Sequence, residues 1–375
     1  MTIIDVHVLQ TLPPSLINRD DSNAPKTAIF GGVSRQRVSS QAWKRAVRQD
    51  FRKNFAPQDL GYRTKDVVRL IVEEIERQTD GAWDKDKATQ AAEQALTTAG
   101  FKLVEPKSGK ASDESDQRAQ SKKTGYLLFV GSRQISALAE SIIHADGEKL
   151  TKKEVSRLLD TEHSVDIAMF GRMVADDAAY NVDASVQVAH AIGIHESEPE
   201  FDFFTAVDDI VAADEESGAG MMGTVQLMSS TLYRFATLDL ESLTKNLGDE
   251  VRATTSALAF VRSFILSLPT GKQNTFAHNS LPDLVYITVR NDRSVSLVGA
   301  FENPVVATAQ GRRRLGAEAL AREEKELRDA YGLQPCASFV FGLEDLVHQF
   351  HGLAEKIILP QLEEKLKESI NSESA

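Results

Sequence analysis

The stretch Val33-Ser-Arg-Gln-Arg-Val-Ser-Ser-Gln-Ala-Trp-Lys-Arg-Ala-Val-Arg-Gln-Asp-Phe-Arg-Lys53 decides how the rest of the chain is interpreted. It predicts a short strand, with Arg35 and Arg37 on one face, followed by a helix that begins at Ser39 or Ser40. At about 100° per residue, one face of this helix carries Trp43, Ala46, Val47, Asp50 and Phe51. The opposite face carries Gln41, Lys44, Arg45, Arg48 and Arg52. One side can therefore dock on a core while the other presents a cationic stripe.

The charge of this region contrasts with that of the whole chain, whose formal net charge is −12. Between Ser22 and Phe55, Asp50 is the single acidic residue. The cations in the same interval are Lys26, Arg35, Arg37, Lys44, Arg45, Arg48, Arg52 and Lys53. A positive island on an acidic protein indicates a local polyanion site. The N–H groups and serine hydroxyls at the helix start suit a phosphate oxygen. The alternative is a solvated amphipathic helix with no ligand.

Composition limits the class of protein. The 375 residues suggest two or three lobes, or one domain with large insertions, and the hydrophobic fraction of 42% can build a real core. No apolar run of spanning length and no signal peptide is evident, so we expect a soluble, cytoplasmic protein. Cys336 is the only cysteine, which excludes disulfide scaffolds and multi-cysteine zinc sites. The negative net charge argues against a non-specific nucleic-acid coat.

The order of predicted elements indicates an α+β protein. A strand over 3–11, ended by Pro13-Pro14, precedes a loop and the basic helix, which is a plausible opening for a ferredoxin-like or RNA-recognition-type unit. The region 63–162 is mainly helical, with helices over 132–145 and 152–159. Further strands are predicted over 183–194, 224–239, 279–290 and 294–300, and further helices over 240–268, 311–331 and 342–358.

Other candidate sites have competing interpretations. Asp20-Asp21 could hold a metal ion, but adjacent carboxylates in a loop more often fix a turn or cap a helix. His348, His351 and Glu355 could be ligands on one helix face, although a wet helix face is the better interpretation. Arg312-Arg313-Arg314 at a helix start could contact RNA or a partner, or could simply be solvated.

A cluster of aromatic residues lies in the polar segment after residue 195. Phe201, Phe203 and Phe204 could anchor a β-hairpin by burial, or could form an exposed hairpin tip that wedges against bases. Met173 has the same two interpretations.

Several blocks, in order along the chain, together resemble one family, the backbone subunits (CasC) of the type I-E CRISPR surveillance complex Cascade. These blocks are Val6-His-Val-Leu9, Leu16-Ile-Asn-Arg-Asp-Asp21, Lys26-Thr-Ala-Ile-Phe-Gly-Gly32, Arg37-Val-Ser-Ser-Gln-Ala-Trp-Lys-Arg-Ala46, Val165-Asp-Ile-Ala168, Gly171-Arg-Met173, Ala189-His-Ala-Ile192, Asp202-Phe-Phe-Thr-Ala-Val-Asp-Asp209 and Tyr233-Arg-Phe-Ala236.

The resemblance implies a ferredoxin-like or RRM-like palm, a helical finger insertion and a β-hairpin thumb. Residues 1–57 would begin the palm, 58–180 would form the finger, 181–194 a palm strand, 195–224 the thumb, and 225–375 the remaining palm with C-terminal helices. In the family, copies stack head to tail along a guide RNA (crRNA) and displace one nucleotide at regular intervals, so that short segments pair with target DNA. The implied partners are therefore the crRNA, target DNA through the guide, further copies of the chain, and the subunits CasA, CasB, CasD and CasE, with no membrane.

The resemblance also implies RNA-binding residues. Guide phosphates would be contacted by Arg19, Lys26, Ser39, Ser40, Gln41, Lys44 and Arg48, and the displaced nucleotide would be shaped by Met173, Phe204 and Thr205. The charge pattern adds Arg35, Arg37, Arg45, Arg312 and Arg313. The chain departs from the family near Phe301-Glu-Asn-Pro-Val-Val306, where Asn303 and Val306 replace expected lysines. Contacts of Lys107, Lys110, Lys122 or Lys123 with target DNA are a further expectation.

The resulting expectation is a non-enzymatic RNA-binding scaffold of antiviral defence, without cofactor or metal. The alternative is a metal-dependent ribonuclease that uses Asp20 or Asp21, as related type III backbone subunits do. A third class is a purely structural, partner-binding protein.

Overall fold

The structure is a computed structural model, and it describes residues 1–105, 121–174, 177–206 and 221–373. Its strands are β1 Ile3–Ser15, β2 Thr27–Phe30, β3 Val33–Val38, β4 Gly61–Thr64, β5 Leu103–Val104, β6 Lys123–Thr124, β7 Leu128–Gly131, β8 Val186–Val188, β9 Ala191–Gly193, β10 Glu200–Ala206, β11 Met221–Asp239, β12 Leu284–Arg290, β13 Ala337–Gly342 and β14 Glu355–Lys356.

The α-helices in the described ranges are α1 Ser40–Asn54, α2 Val67–Gln78, α3 Lys85–Thr98, α4 Ser132–His144, α5 Lys152–Leu159, α6 Val165–Phe170, α7 Leu240–Leu247, α8 Glu250–Leu266, α9 Gln273–Phe276, α10 Arg312–Tyr331, α11 Glu344–Val347 and α12 Leu362–Glu373. None of these helices combines the length and apolar character needed to cross a lipid bilayer. The chain is thus a mixed α/β protein.

The chain divides into two compact units, and the first comprises Met1–Asp50, Val186–Glu241 and Ala257–Ala375. Its centre is a ten-stranded sheet with the order β14-β13-β12-β1-β11-β9-β3-β2, to which β8 and β10 are added by pairing with β11. Strand β1 pairs antiparallel with β11 on one side and β12 on the other. A central strand that is covered on both faces needs a nearly continuous buried run, and residues 3–10 are all buried.

Helix α1 is held against this sheet by its apolar face. The Trp43 ring lies under the buried Arg234 guanidinium of β11, and the Arg234 Cζ atom is 3.8 Å from the ring centroid. Arg234 also donates to the side chain of Gln10 on β1. Helix α10 covers a different part of the sheet, where Leu320 belongs to a core cluster with Leu9, Tyr233 and Tyr286. The sheet therefore fixes the two helices that carry basic candidate residues, α1 and α10.

The second unit comprises Phe51–Ser185 and Ser242–Ser256 and has a core of its own. Helices α2, α3 and α4 supply most of it, with Ile71, Leu96 and Leu138 fully buried. Two small antiparallel pairs, β4 with β7 and β5 with β6, complete the unit. The segment 58–180, predicted as the finger insertion, lies within this unit. The unit additionally takes in 51–57 and 181–185, which were predicted as palm, and 242–256.

Several predicted boundaries are wrong for local reasons. Strand β1 runs through Pro13 and Pro14, because the pairing register with β11 shifts between Leu12 and Ser15 and requires no amide N–H from either proline. The single helix predicted over 240–268 is two helices, because Gly248 takes a left-handed φ of +69° between them. The strand predicted over 183–194 is two short strands, β8 and β9.

The C-terminal third contains the larger errors. Residues 294–300 do not form the predicted strand, because Ser294 Oγ and the Val295 N–H donate to the Asp5 carboxylate at 2.7 and 2.9 Å. The helix predicted over 342–358 is only the four-residue α11 followed by a short 3₁₀ turn and strand β14. Strand β13, which pairs with β12, was not predicted from the sequence.

Candidate nucleic-acid interface

Helix α1 has the two faces that its sequence predicts. Trp43, Val47 and Phe51 are at most 1% exposed. On the opposite face Gln41 and Arg45 are exposed, and Lys44 and Arg48 are half-buried. The predicted division into a docked face and a cationic outer face is therefore confirmed.

The start of helix α1 is fixed by side chains from three segments. Asn18 Oδ1 accepts the Ser39 N–H at 2.8 Å, and Ser39 Oγ accepts the Ala42 N–H at 3.3 Å. His190 Nδ1 accepts the Ser40 N–H at 3.0 Å. Some N–H groups that were expected to serve a phosphate are thus already satisfied, and the anion-binding potential of this end comes mainly from side chains.

The charges of three cations act on His190 at this helix start. The pKa of His190 is lowered, first by partial burial and then by the positive charges of Arg37, Lys26 and Lys44. Partial burial likewise lowers the pKa of Lys44. Within the described ranges, no carboxylate lies within 4.0 Å of the charged nitrogens of Lys26, Arg37 or Lys44. The charge of Lys26 acts at longer range on Asp20, whose pKa it helps to lower. Like charges held close together without a direct ion pair favour binding of an anion.

His190 was not among the predicted site residues. It lies between Val188 and Ala191, in a segment whose alternating pattern predicted only a strand. The available signal in the sequence was that His190 is a polar residue within an apolar block that contributed to the family resemblance.

Arg35 is a correction to the predicted interface. Its side chain is fully buried, and its guanidinium donates to the carbonyl oxygens of Phe30, Gly193, Phe301 and Glu302 at 3.0 to 3.2 Å. Arg37 is half-buried and donates Nε to the Thr27 carbonyl at 3.2 Å. The two arginines were expected to face a ligand together. In the structure Arg35 instead connects backbone segments. Of the two arginines, only Arg37 lies with Lys26 and Lys44 near His190.

Arg35 also contacts the segment 301–306, which departs from the family pattern. Phe301 is buried, and the carbonyls of Phe301 and Glu302 are the acceptors for Arg35. Val306 is 72% exposed where a lysine was expected. This segment therefore contributes structure through its backbone and adds no cation.

The arginines at the start of helix α10 form a second basic group. Arg312, Arg313 and Arg314 are all exposed. Arg313 Nη1 lies 3.0 Å from Asp283 Oδ1, so part of the positive charge is neutralised. They line a cavity of about 370 Å³ that also includes His195, Ser230 and Asp345.

Strand β10 carries the aromatic cluster on the outside of the molecule. Phe201 is 73% and Phe203 63% exposed, and Thr205 is exposed as well. Phe204 is 40% exposed, and its ring covers Gly223 of the paired strand β11, where an added β-carbon would lie 2.6 Å from the ring. Burial of all three rings, which was one interpretation, is thus wrong. Met173, in the second unit, is 83% exposed.

The acidic pair proposed for metal chemistry is used in a turn. Asp20 Oδ1 accepts hydrogen bonds from the Ser22 N–H, the Ser22 hydroxyl and the Ala24 N–H at 2.8 to 3.0 Å. These bonds, the Ser22 hydroxyl first, lower the pKa of Asp20. No group of three or more potential ligands that could hold a metal ion occurs in the part of the chain that is described. The observations favour the turn-forming interpretation.

Two remaining groups do not assemble as the sequence suggested. His348 and His351 lie in the broken 342–358 segment with ring centroids 6.3 Å apart, and Glu355 is in β14, where it pairs with Lys365. Lys123 pairs with Asp66, and Lys122 pairs with Glu93 and Glu105. Lys107 and Lys110 lie outside the described residues.

Comparison with known proteins gives the class of the chain. Residues 4–366 match the family described as CT1975-like protein, and the chain belongs to that family. A chain of the solved structure "CRISPR RNA-guided surveillance complex, pre-nicking" is similar over 97% of this chain and 98% of its own, with 32% identity and a TM-score of 0.79. A chain of a second structure, "CRISPR RNA-guided surveillance complex", is similar over the same shares, with 28% identity and a TM-score of 0.71. No curated protein sequence matches significantly.

Proposed function

We propose that this protein is a guide-RNA-binding backbone subunit of a Cascade-type CRISPR surveillance complex. The observation that carries the proposal is the group of Lys26, Arg37 and Lys44 near His190, with no carboxylate of the described residues within 4.0 Å of their charged nitrogens, on a chain of formal charge −12. A local concentration of cations on an acidic protein is suited to the sugar-phosphate backbone of RNA. Both similar solved structures are of RNA-guided complexes, which supports the same assignment.

The finer proposal is a type I-E backbone subunit of the CasC kind with an RRM-like palm. The ten-stranded sheet, with helix α1 docked by Trp43, would serve as the palm, and the hairpin of β10 and β11 as the thumb. The crRNA would run past the start of helix α1. Further copies of the chain and the subunits CasA, CasB, CasD and CasE would complete the assembly, and target DNA would pair with the guide.

The exposed hairpin supports a role in displacing bases. Phe201, Phe203 and Phe204 present aromatic surface, and stacking of a base on such a ring contributes about 1–3 kcal/mol. In the proposed mechanism, Phe204, Thr205 and Met173 shape the displaced nucleotide. The chain acts as a scaffold in a cytoplasmic complex, and base pairing carries sequence recognition.

The first prediction is that Lys44→Glu combined with Arg48→Glu abolishes guide-RNA binding. The double change places two negative charges on the face that is expected to meet phosphates. We expect affinity for a single-stranded guide RNA to fall about 100-fold or more, since several phosphate contacts are lost and repulsion is added. Fluorescence anisotropy with the purified full-length protein measures the change.

The matched control is Lys325→Glu combined with Lys367→Glu, which alters the net charge equally at exposed positions in α10 and α12. This control should retain affinity within about threefold if the site is local. Equal losses in both double variants would show that net charge alone governs binding. Full retention of RNA by the Lys44 and Arg48 variant would exclude the proposed interface.

A further inference from the structure

A basic cleft lies on the flank of helix α1 that carries Arg45. It has a volume of about 390 Å³ and lies entirely within the first unit. Its walls are the Arg19 loop, the flank of α1 with Arg45 and Gln49, and the loop that ends in Lys272. Arg19, Arg45, Gln49 and Lys272 are exposed, so the cleft is open to solvent.

The loop that carries Lys272 is held in place by two contacts. A β-carbon on Gly271 would overlap the Ile17 carbonyl oxygen, so only glycine permits this close approach to the Arg19 loop. The buried His278 donates Nε2–H to the Pro269 carbonyl at 3.0 Å. The loop is therefore docked between residue 17 and residue 278.

Lys272 itself has an unusual backbone. It adopts the left-handed conformation with φ +51°, which costs a non-glycine residue about 1–2 kcal/mol. Its carbonyl oxygen accepts the Thr275 and Phe276 N–H groups at 3.0 and 3.1 Å, so the turn that follows depends on this conformation. Because the loop is docked and the backbone of Lys272 is held in this conformation, its positive charge is positioned at the mouth of the cleft before any ligand binds.

The charge in the cleft is entirely positive. Arg19, Arg45 and Lys272 line it, and its described lining contains no carboxylate. No carboxylate of the described chain lies within 4.0 Å of their charged nitrogens, and Arg19 donates instead to Asn23 Oδ1 at 2.9 Å. The cavity at the start of α10 differs, because it includes Asp345 and its Arg313 is paired with Asp283.

We propose that this cleft is a phosphate subsite for the bound RNA and that Lys272 is one of its RNA-binding residues. Helix α1 would then contact the RNA from two flanks, with Lys44 beside Lys26 and Arg37 on one flank and Arg45 facing Arg19 and Lys272 on the other. The occupant is a phosphodiester of the same strand, since the cleft adjoins the proposed interface. This inference rests on the proposed function and adds a segment, the loop of residues 269–272, that no sequence pattern assigned to it.

The test removes the positive charge of Lys272 without disturbing its backbone. Lys272→Asn keeps a residue that tolerates left-handed φ, and Lys272→Arg keeps the charge. We expect Lys272→Asn to weaken guide-RNA binding about 3- to 10-fold and to reduce the slope of log affinity against log salt by about one, as loss of one phosphate contact predicts. Lys272→Arg should restore both affinity and slope to within about twofold of the unmodified protein.

The result separates this inference from the proposed function. Lys367→Asn serves as the control for loss of one exposed positive charge elsewhere. If the Lys44 and Arg48 double variant loses RNA while Lys272→Asn keeps the original affinity and salt slope, the subsite is excluded and the proposed function stands. If neither variant affects RNA binding, both are excluded. Thermal unfolding of Lys272→Asn should match that of the unmodified protein within a few degrees, which excludes loss of structure as the cause.

Discussion

Arg35 and Arg37 show that two arginines close together in one strand can have different roles. They are two residues apart in β3 and were predicted to share a face and a ligand. In the structure Arg35 is fully buried and binds four backbone carbonyls, whereas Arg37 stands beside Lys26 and Lys44. The sequence could predict that this segment is basic. It could not show that residues around 193 and 301, distant in the chain, would cover Arg35.

The contrast predicts opposite effects of two alanine variants. Arg35→Ala leaves buried carbonyls without donors, so we expect the free energy of unfolding to fall by about 3 kcal/mol or more. Arg37→Ala removes one bond to Thr27 and should change stability by less than about 1 kcal/mol, while weakening guide-RNA binding several-fold. Urea denaturation and anisotropy measure the two quantities.

Two results would contradict these expectations. A stable Arg35→Ala protein that fails to bind RNA would return Arg35 to the interface. Unchanged RNA affinity of Arg37→Ala, at low and at moderate salt, would remove Arg37 from it.

At the scale of elements, sequence periodicity works where one apolar face is continuous. Helices α4, α5 and α10 were predicted almost at their observed bounds, because each buries residues at helical spacing along one face. The 240–268 and 342–358 predictions fail where a glycine interrupts the helix, since Gly248 has φ +69° and Gly352 has φ +79°. Strand β13 was missed because its partner β12 is about fifty residues earlier.

The candidate site follows the same rule. The outer face of α1 could be predicted, because its residues are one turn apart in the same helix. His190 and Lys272 could not, because loops and strands distant in sequence bring them beside α1. Tertiary contacts of this kind leave no periodic pattern.

Helix α10 provides a stability prediction at this scale. Its Glu324 is fully buried and binds Arg290 Nη2 of β12 at 2.9 Å and Arg328 Nε at 2.6 Å. Glu324→Gln would leave the buried Arg328 with a neutral partner, whereas Arg290 would keep the Asp5 carboxylate at 3.5 Å. We therefore expect a loss of about 3 kcal/mol in the free energy of unfolding. Chemical denaturation measures the loss.

Glu326 on the same helix is exposed and provides the control. Glu326→Gln should change stability by less than about 0.5 kcal/mol. Similar stabilities for the two variants would mean that the buried network contributes nothing to the docking of α10 on the sheet.

At the scale of the whole molecule, acidic charge coexists with concentrated basic sites. A chain of charge −12 repels its own copies, and binding to a polyanion alone would not remove that repulsion. Under the proposed function, local cations that grip a shared RNA strand would bring copies together against this repulsion. RNA length should then set the size of the assembly.

We accordingly expect the mass of the RNA complex to rise in steps of one protomer as the guide is lengthened. Analytical ultracentrifugation of the purified protein with RNAs of increasing length measures the steps, and RNase digestion should return the protomer. A complex of constant size for all RNA lengths would contradict templated assembly.

Strand β11 connects the exposed hairpin directly to the centre of the sheet. It runs without interruption from Met221, opposite Ala206 in the hairpin, to Asp239, opposite Ile3 in the centre of the sheet. Its burial changes along this length from exposed to fully enclosed. A force on the aromatic end would therefore pass along one continuous backbone to the strand that pairs with β1 in the core of the first unit. The described strands of the hairpin would therefore work as a lever whose anchored end is the central sheet.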